Sequence, residues 1–479
     1  MFSAIYESEG GITIMCTLTS NTINSIYTKN TKCNNCVDKG IVMGRLLQIK
    51  TSGMKNLSEE ITIDFANLTI EKGINKLNNV KGIFGFNGSG KTALMTSVDY
   101  YLRIATDPTF LVQKDTTKKL DQLLNFETRR FSFSIVFEFQ KDTVLKHSIE
   151  LAKNQLSGNF YIQKENIAFS CGRTLNDSFK SLVKKEVDSI AVLSDEEIVK
   201  DSLSFLKSTD LTYSSILPKV IEKMIERGER NGKHPHTFAE KVFSNLFFSV
   251  KNMDVYLSAS DEHNGFLFDK DALESLLSDL ESQKEHRDDW ADLYSTETII
   301  PKNMYDAYVE NNRKLEKFVR LFKPELQEIE LERSEDKDAY HVKRLFKYEK
   351  YKVEYEFESS GIKHLVKLFT YLSRCANGGV VFIDEIDVNI NAVYFEKLIS
   401  FFRKYGEGQL IFTTHNTEAM NALKGQSRSI LVLGDENKMD VWVGKGNKSP
   451  INDYFGGLFP HSPMNIEDFD FVNIFLGEE

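Results

Sequence analysis

The sequence has no apolar run long enough to cross a bilayer and no stretch resembling a secretory leader, so a membrane-spanning or exported chain is not expected. Cysteine is scarce: Cys16, Cys33, Cys36, Cys171 and Cys375 are the five in 479 residues. That odd number forms no disulfide framework, and the thiols are expected to be reduced in a cytoplasmic protein. Positive charge is in deficit, with 60 Lys and Arg against 70 Asp and Glu for a net charge of −10. No global field therefore draws the chain onto nucleic acid or anionic membrane, and only a local basic groove remains for DNA. Internal repeats, sustained heptads and low-complexity tracts are also missing, which argues against a long antiparallel coiled coil. What is present is 41% hydrophobic and 11% aromatic residues. A chain of this length exceeds one simple core, and two or three domains are expected.

The most informative stretch is Gly-Ile-Phe-Gly-Phe-Asn-Gly-Ser-Gly-Lys-Thr at residues 82–92. It contains the P-loop pattern G-x-x-x-x-G-K-[ST] through Gly85, Gly90, Lys91 and Thr92, with Asn87, Gly88 and Ser89 inside the loop. Backbone N–H groups of such a turn, and of the helix that follows, cradle nucleotide phosphates. Lys91 is placed to reach the β and γ oxygens, and the Thr92 hydroxyl to ligate Mg²⁺. The context is the required strand, loop and helix: Ile83 and Phe84 end an apolar strand, and residues 91–105 have helical character.

Around this loop the chain divides by pattern. Residues 1–42 are rich in Ser, Thr and Asn, show weak periodicity, and read as a poorly structured leader. Their Cys33-Asn-Asn-Cys36 pair would need two more ligands nearby to hold zinc, and no second Cys/His pair of suitable spacing lies close. Residues 43–165 read as the N-terminal lobe of an ATPase. Strands are expected at 45–50 and 61–65, then a hairpin of alternating apolar and polar residues at 131–139 and 144–151. Residues 166–325 change to helical spacing, as at 217–227 and 271–281, and read as a helical insertion. The interleaved charges there, including Lys219, Lys223, Arg227, Arg230 and Lys233, suit a solvated face more readily than a DNA-binding one. Residues 326–479 read as the C-terminal lobe, with strands at 326–331, 352–357, 378–387, 409–415, 429–433 and 439–443.

Two of those strands end in chemistry. Val380-Val381-Phe382-Ile383 is an apolar run of the fully buried parallel type and is followed by Asp384 and Glu385. Gln409 to Thr414 is another such run, tipped by His415. In an open α/β sheet, ligands lie beyond the carboxyl ends of the parallel strands, so these groups can converge on the P-loop. Asp384 is then expected to hold Mg²⁺. Glu385 would act as general base or polarise the attacking water, and His415 would contact the γ-phosphate. Alone, an Asp-Glu pair reads as a loop acid and a terminal His as a capping or surface residue; their order after a P-loop gives them the catalytic reading.

The succession of P-loop, Ser359-Ser360-Gly361-Ile362-Lys363 before a helix, Val-Val-Phe-Ile-Asp-Glu, and Thr-Thr-His resembles ABC-type ATPases such as SMC and RecF proteins. More narrowly, it resembles the ABC-type AAA ATPases of the OLD (overcoming lysogenization defect) class in bacterial anti-phage systems, over residues 43–165 and 325–479. The resemblance implies an α/β fold, an ABC/SMC-like P-loop NTPase head with a mainly helical insertion domain. It implies Mg-dependent ATP hydrolysis by a head-to-tail homodimer or higher homo-oligomer, in which Ser359, Ser360 and Gly361 of one subunit contact the γ-phosphate bound at the P-loop of the other. The two serines equally suit caps for the helix that follows. A D-loop position falls at residues 387–391 and departs from the family at Asn391, where relatives often carry His or Asp. Gln122 and Gln140 compete for the Q-loop.

OLD nucleases add a TOPRIM domain, which needs roughly a hundred further residues, whereas 64 follow His415. The expectation is therefore an ATPase subunit of an anti-phage complex that works on a separately encoded effector, commonly a nuclease, as in the PARIS and Septu systems. The alternative is a RecF/SMC-like DNA-repair ATPase that clamps DNA. The nucleotide-binding subunit of a membrane transporter stands third.

Overall fold

The computed structural model describes residues 44–65, 79–140, 143–171, 178–187, 189–193, 200, 203–231, 237–257, 475, and 298–459 apart from 303–304, 338, 427, 435–436 and 445–447. It also describes two short N-terminal strands, β1 (Ala4–Glu7) and β2 (Thr13–Cys16), which pair antiparallel within the expected leader. Cys33, Cys36 and residues 271–281 lie outside the described residues. The chain forms two compact units: one of Met43–Ser258, Cys375–Asp387 and Phe395–Glu479, the other of Met1–Val42, Ala259–Arg374 and Val388–Tyr394.

The larger unit holds two sheets. The antiparallel one comprises β3 (Leu46–Ser52), β4 (Ile61–Asp64), β6 (Arg130–Gln140), β7 (Thr143–Lys153), β8 (Phe160–Ser170), β9 (Lys180–Glu186) and β10 (Ser189–Val192). Their spatial order is β10-β9-β8-β7-β6-β3-β4. The expected hairpin is β6 and β7, and its alternation buries Phe131, Phe133, Ile135, Leu145, Ile149 and Leu151. The segment 166–325 thus carries strands as well as helices: β9 and β10 widen this sheet.

The second sheet positions the nucleotide chemistry. It contains β5 (Val80–Phe84), β11 (Met253–Tyr256), β16 (Val380–Ile383), β17 (Gln409–Thr413), β18 (Ile430–Leu433) and β19 (Met439–Val441). The order is β11-β16-β17-β5-β18-β19, parallel except for β19. Every residue of β5, β16, β17 and β18 is buried, as apolar strands covered on both faces must be. Gln409 joins the two sheets, because its buried side-chain amide donates to Leu46 O at 2.9 Å and accepts from Leu46 N–H at 2.8 Å.

Helix α1 (Lys91–Thr106) leaves the P-loop and buries Leu94, Met95, Val98, Tyr101 and Ile104. Short α2 (Lys114–Leu123) follows, then α3 (Ile216–Asn231) and α4 (Phe238–Lys251), both of which touch α1. Thr237 and Glu240 form a reciprocal capping box on α4, satisfying two backbone donors that its first turn leaves free.

In the smaller unit α5 (Tyr305–Phe322) packs on a sheet of β12 (Thr298–Pro301), β13 (Glu328–Glu335), β14 (Ala339–Lys347) and β15 (Lys352–Glu354). Phe318 of α5 meets Phe369 of α6 (Ser360–Ala376) with ring centroids 5.4 Å apart. The strand expected to run to Phe357 stops at Glu354. Tyr355 is buried there, and a 3₁₀ turn over Tyr355–Phe357 closes through Glu358 N–H on Tyr355 O at 3.2 Å. Two helices complete the larger unit at its C-terminal end, α8 (Ala419–Leu423) and α9 (Pro450–Phe455), while α7 (Ala392–Tyr405) precedes β17.

Candidate nucleotide site

The P-loop leaves the C-terminal end of β5, a strand with parallel neighbours β17 and β18 on its two sides. Gly85, Gly88 and Gly90 have φ of +154°, +85° and +107°. At Gly90 the requirement is double: its φ lies in the left-handed range, and a Cβ would stand 2.7 Å from Leu57 Cδ2. Gly90 caps α1, whose first turn holds no acidic residue, so the positive end of the helix dipole is left for an external anion. Ser89 is buried inside the loop and its hydroxyl has no hydrogen-bond partner. A buried orphan oxygen beside an uncompensated helix N-terminus fits a phosphate. Asn87 is exposed, and Thr92 half-buried in the first turn of α1.

Lys91 Nζ donates 2.9 Å bonds to Gly85 O and Phe86 O, folding over the loop it belongs to. Burial lowers its pKa, while the carboxylates of Asp384 and Glu385 pull it back up, which places both acids within electrostatic reach of the loop lysine.

Those carboxylates arrive on β16, which is not the neighbour of β5. Strand β17 lies between them, and Thr413 at its end links the parts. The Thr413 hydroxyl, fully buried, donates to Asp384 Oδ1 at 2.6 Å and accepts from Glu385 N–H at 2.8 Å. Asp384 N–H in turn donates to Tyr256 O of β11 at 2.8 Å. Glu385 sits at φ +52°, a left-handed backbone that a residue with a Cβ adopts rarely and that clusters at functional positions. The hydroxyl of Thr413 holds the peptide that enters this conformation. His415, two residues on, is exposed; partial desolvation first and the Lys91 charge second lower its pKa, against the opposing pull of Glu385, Asp387 and Asp384. Lys91, Asp384, Glu385 and His415 therefore share one electrostatic environment, although the first and last are 324 positions apart.

The signature-like segment lies in the smaller unit. Ser359 and Ser360 are exposed, and Ser359 Oγ accepts from Ile362 N–H at 3.4 Å as the cap of α6. A 2.6 Å bond from Tyr348 OH to Glu358 fixes the residues before it. Gly361 faces Asn389, its Cβ position 3.4 Å from Asn389 Cβ, so this segment and the D-loop stretch are in contact.

Residues 82–421, well over half of the chain, match the protein family described as "AAA domain, putative AbiEii toxin, Type IV TA system". The chain belongs to this AAA domain family. As a family member it is a P-loop ATPase, and the match spans both the P-loop and the Asp384-Glu385 and His415 strands. No curated protein matches. Among solved structures it is similar to the Smc head domain with an extended coiled coil bound to the C-terminal domain of ScpA from Pyrococcus furiosus, at 13% identity over 84% of this chain and 97% of that one, with a TM-score of 0.40. It is also similar to the Smc head domain with a coiled coil and joint from Pyrococcus yayanosii, at 12% identity over 84% and 98%, with the same TM-score of 0.40. Among the described residues no helix is long and apolar enough to cross a membrane, and no cluster of His, Cys, Asp and Glu forms a separate metal site.

Thr413 was legible as part of Thr-Thr-His but not as a site residue. Its only sequence signal is its place at the tip of an apolar strand, next to the histidine.

Proposed function

We propose that this chain binds ATP with Mg²⁺ and hydrolyses it, as the ATPase subunit of a bacterial anti-phage defence complex whose dimeric heads control a separately encoded effector, a nuclease. The observation that carries the hydrolysis is the Thr413 hydroxyl bridging Asp384 and Glu385 in the electrostatic reach of Lys91. In this reading the loop amides from Gly85 to Thr92, with Asn87, Gly88, Ser89 and Gly90 among them, hold the phosphates, and Lys91 neutralises the β and γ oxygens. Thr92 and Asp384 are the residues that would hold Mg²⁺, which supplies further charge neutralisation on the phosphate oxygens. Glu385 orients and deprotonates the attacking water, and His415 donates to the γ-phosphate. Positioning and charge stabilisation suffice for phosphoryl transfer, so few groups are needed.

The exposed Ser359 and Ser360, with half-buried Gly361 beside them, are available to a second copy, where they complete the γ-phosphate shell in trans. The family description speaks of a putative AbiEii toxin and a Type IV TA system. The test is to express the Glu385→Gln chain with its neighbouring genes, in ATP and Mg²⁺, and weigh what co-purifies. A stoichiometric effector supports the defence reading. A bare dimer that retains DNA replaces it with the DNA-clamping one.

A further inference from the structure

Two asparagines from distant parts of the chain meet over the P-loop. Asn56, in the turn between β3 and β4, donates from Nδ2 to Gly88 O at 2.8 Å and to Asn437 Oδ1 at 3.2 Å. Asn437, in the turn between β18 and β19, donates from Nδ2 to Asn56 O at 2.5 Å. Both side-chain oxygens lie 3.3 Å from the Cβ position of Gly90. We infer that Asn56 and Asn437 form a clasp that positions the P-loop for nucleotide phosphate, an inference that rests on the ATPase reading above.

The reason lies in the Gly88–Ser89 peptide. Gly88 has φ +85° and nothing packs within 4 Å of its Cβ position, so packing does not hold this peptide plane. Its N–H side is held by a bond from Ser89 N–H to Phe86 O at 3.2 Å, and its carbonyl by Asn56. A carbonyl released from Asn56 could rotate toward the phosphate and set an acceptor against an anion. The clasp keeps that oxygen turned outward.

Its own base is firm. Lys55 N–H donates to Leu123 O at 2.5 Å, Asn125 Nδ2 donates to Lys55 O at 2.9 Å, and Gly53 N–H donates to Leu57 O at 2.6 Å. Asn437 stands at φ +56° and Lys55 at φ +50°, left-handed conformations retained on both sides of the clasp. Asn tolerates that backbone better than most residues, which leaves the Asn437 amide free to bond across to Asn56.

The experiment uses the full chain with Asn56→Ala, Asn437→Ala and the double variant. Expected is a loss of about tenfold in affinity for ATP and for ADP alike in Asn56→Ala, the size of one hydrogen bond, with kcat at saturating ATP within about twofold of the parent. The double variant should be no weaker than Asn56→Ala, because the second side chain acts through the first. In nucleotide-free protein, amide exchange over residues 85–92 should accelerate in Asn56→Ala while the melting temperature stays put. Unchanged exchange across the loop overturns the clasp, as does an affinity loss that appears only together with a fall in melting temperature. A parent chain without Lys91-dependent nucleotide binding overturns the ATPase reading instead, and loop exchange still decides the clasp.

Discussion

Replacing Thr413 by Val tests the site at its joint. The substitution nearly preserves shape and removes one hydroxyl, which donates to the buried Asp384 carboxylate at 2.6 Å and accepts from Glu385 N–H at 2.8 Å. A hydrogen bond to a charged group contributes roughly 1.5–3 kcal/mol and a neutral one about 1 kcal/mol. Because the orphaned carboxylate oxygen stays in a site where Asp384 is only 2% exposed, the loss should lie toward the upper end. The expected destabilisation is about 2–4 kcal/mol in urea denaturation, with an unchanged m-value. Hydrolysis should suffer separately: the bond to Glu385 N–H holds a backbone at φ +52°, and its release lets the carboxylate drift. A displacement near 1 Å lowers kcat by about a hundredfold. ATP affinity should move less than kcat, since the Thr413 hydroxyl bonds to Asp384 and Glu385, whereas Lys91 bonds to Gly85 and Phe86. Thr413→Ser keeps the hydroxyl and should recover most of both losses. If Thr413→Val hydrolyses ATP at the parental rate with a stability change under about 0.5 kcal/mol, or if Thr413→Ser is as impaired as Thr413→Val, the bridge has no part in the site.

Four further outcomes are expected. Lys91→Ala should weaken nucleotide binding at least about tenfold, whereas Glu385→Gln should bind normally and retain unhydrolysed ATP, as read by labelled nucleotide on the isolated protein; equal turnover in Glu385→Gln and the parent would remove Glu385 from its role. Gly90→Ala should abolish binding and lower the melting temperature, because its Cβ meets Leu57 at 2.7 Å from a φ of +107°; parental behaviour in calorimetry would show that the loop yields there. Lys81, buried in β5 and bonded to Arg428 O at 2.6 Å, has its pKa lowered to about 7, chiefly by desolvation, with Asp64 raising it and Arg428 and Arg45 lowering it further. Its unfolded value of 10.5 means the unfolded chain binds the extra proton between those two values. Stability from this group therefore rises with pH above about 7, by about 1 kcal/mol between pH 7 and 8. Lys81→Met should flatten that rise in denaturation curves at the two pH values, and an unaltered slope would refute the assignment.

The parts of the fold legible in the sequence were those whose burial is complete on both faces. Strands β16, β17 and β18 carry apolar runs and were found from them, and the end of β5 at Ile83 and Phe84 was placed together with α1 behind its glycine loop. Strands β9 and β10 escaped because β9 is interrupted by lysines and β10 is only four residues long at the sheet edge, so neither carries much period-2 signal. Sheet order is a matter of crossovers, and nothing in the local pattern says that β17 inserts between β5 and β16. That insertion is what turns Thr413 from a strand residue into the link between two carboxylates. Asn56 and Asn437 were invisible for the same reason, being 381 positions apart.

A third set of contacts shows how far such linkage extends. Alternation in β7 places His147 on the face of Leu145, Ile149 and Leu151, so a buried histidine was readable, but its partners were not. In the structure His147 Nδ1 meets Tyr101 OH of α1 at 2.8 Å and His147 Nε2 meets Glu165 Oε1 of β8 at 2.9 Å. Glu165 also accepts from Ser215 Oγ at 2.5 Å and, on both oxygens, from Ile216 N–H at 3.1 and 3.0 Å at the start of α3. A carboxylate this deeply buried is tolerated only with such a full set of partners, and the partners of this β8 side chain come from β7 and the head of α3. One acidic side chain without a motif therefore fixes the P-loop helix, the antiparallel sheet and α3 against one another. The nucleotide loop at the start of α1 inherits its orientation from that buried network as much as from its glycines.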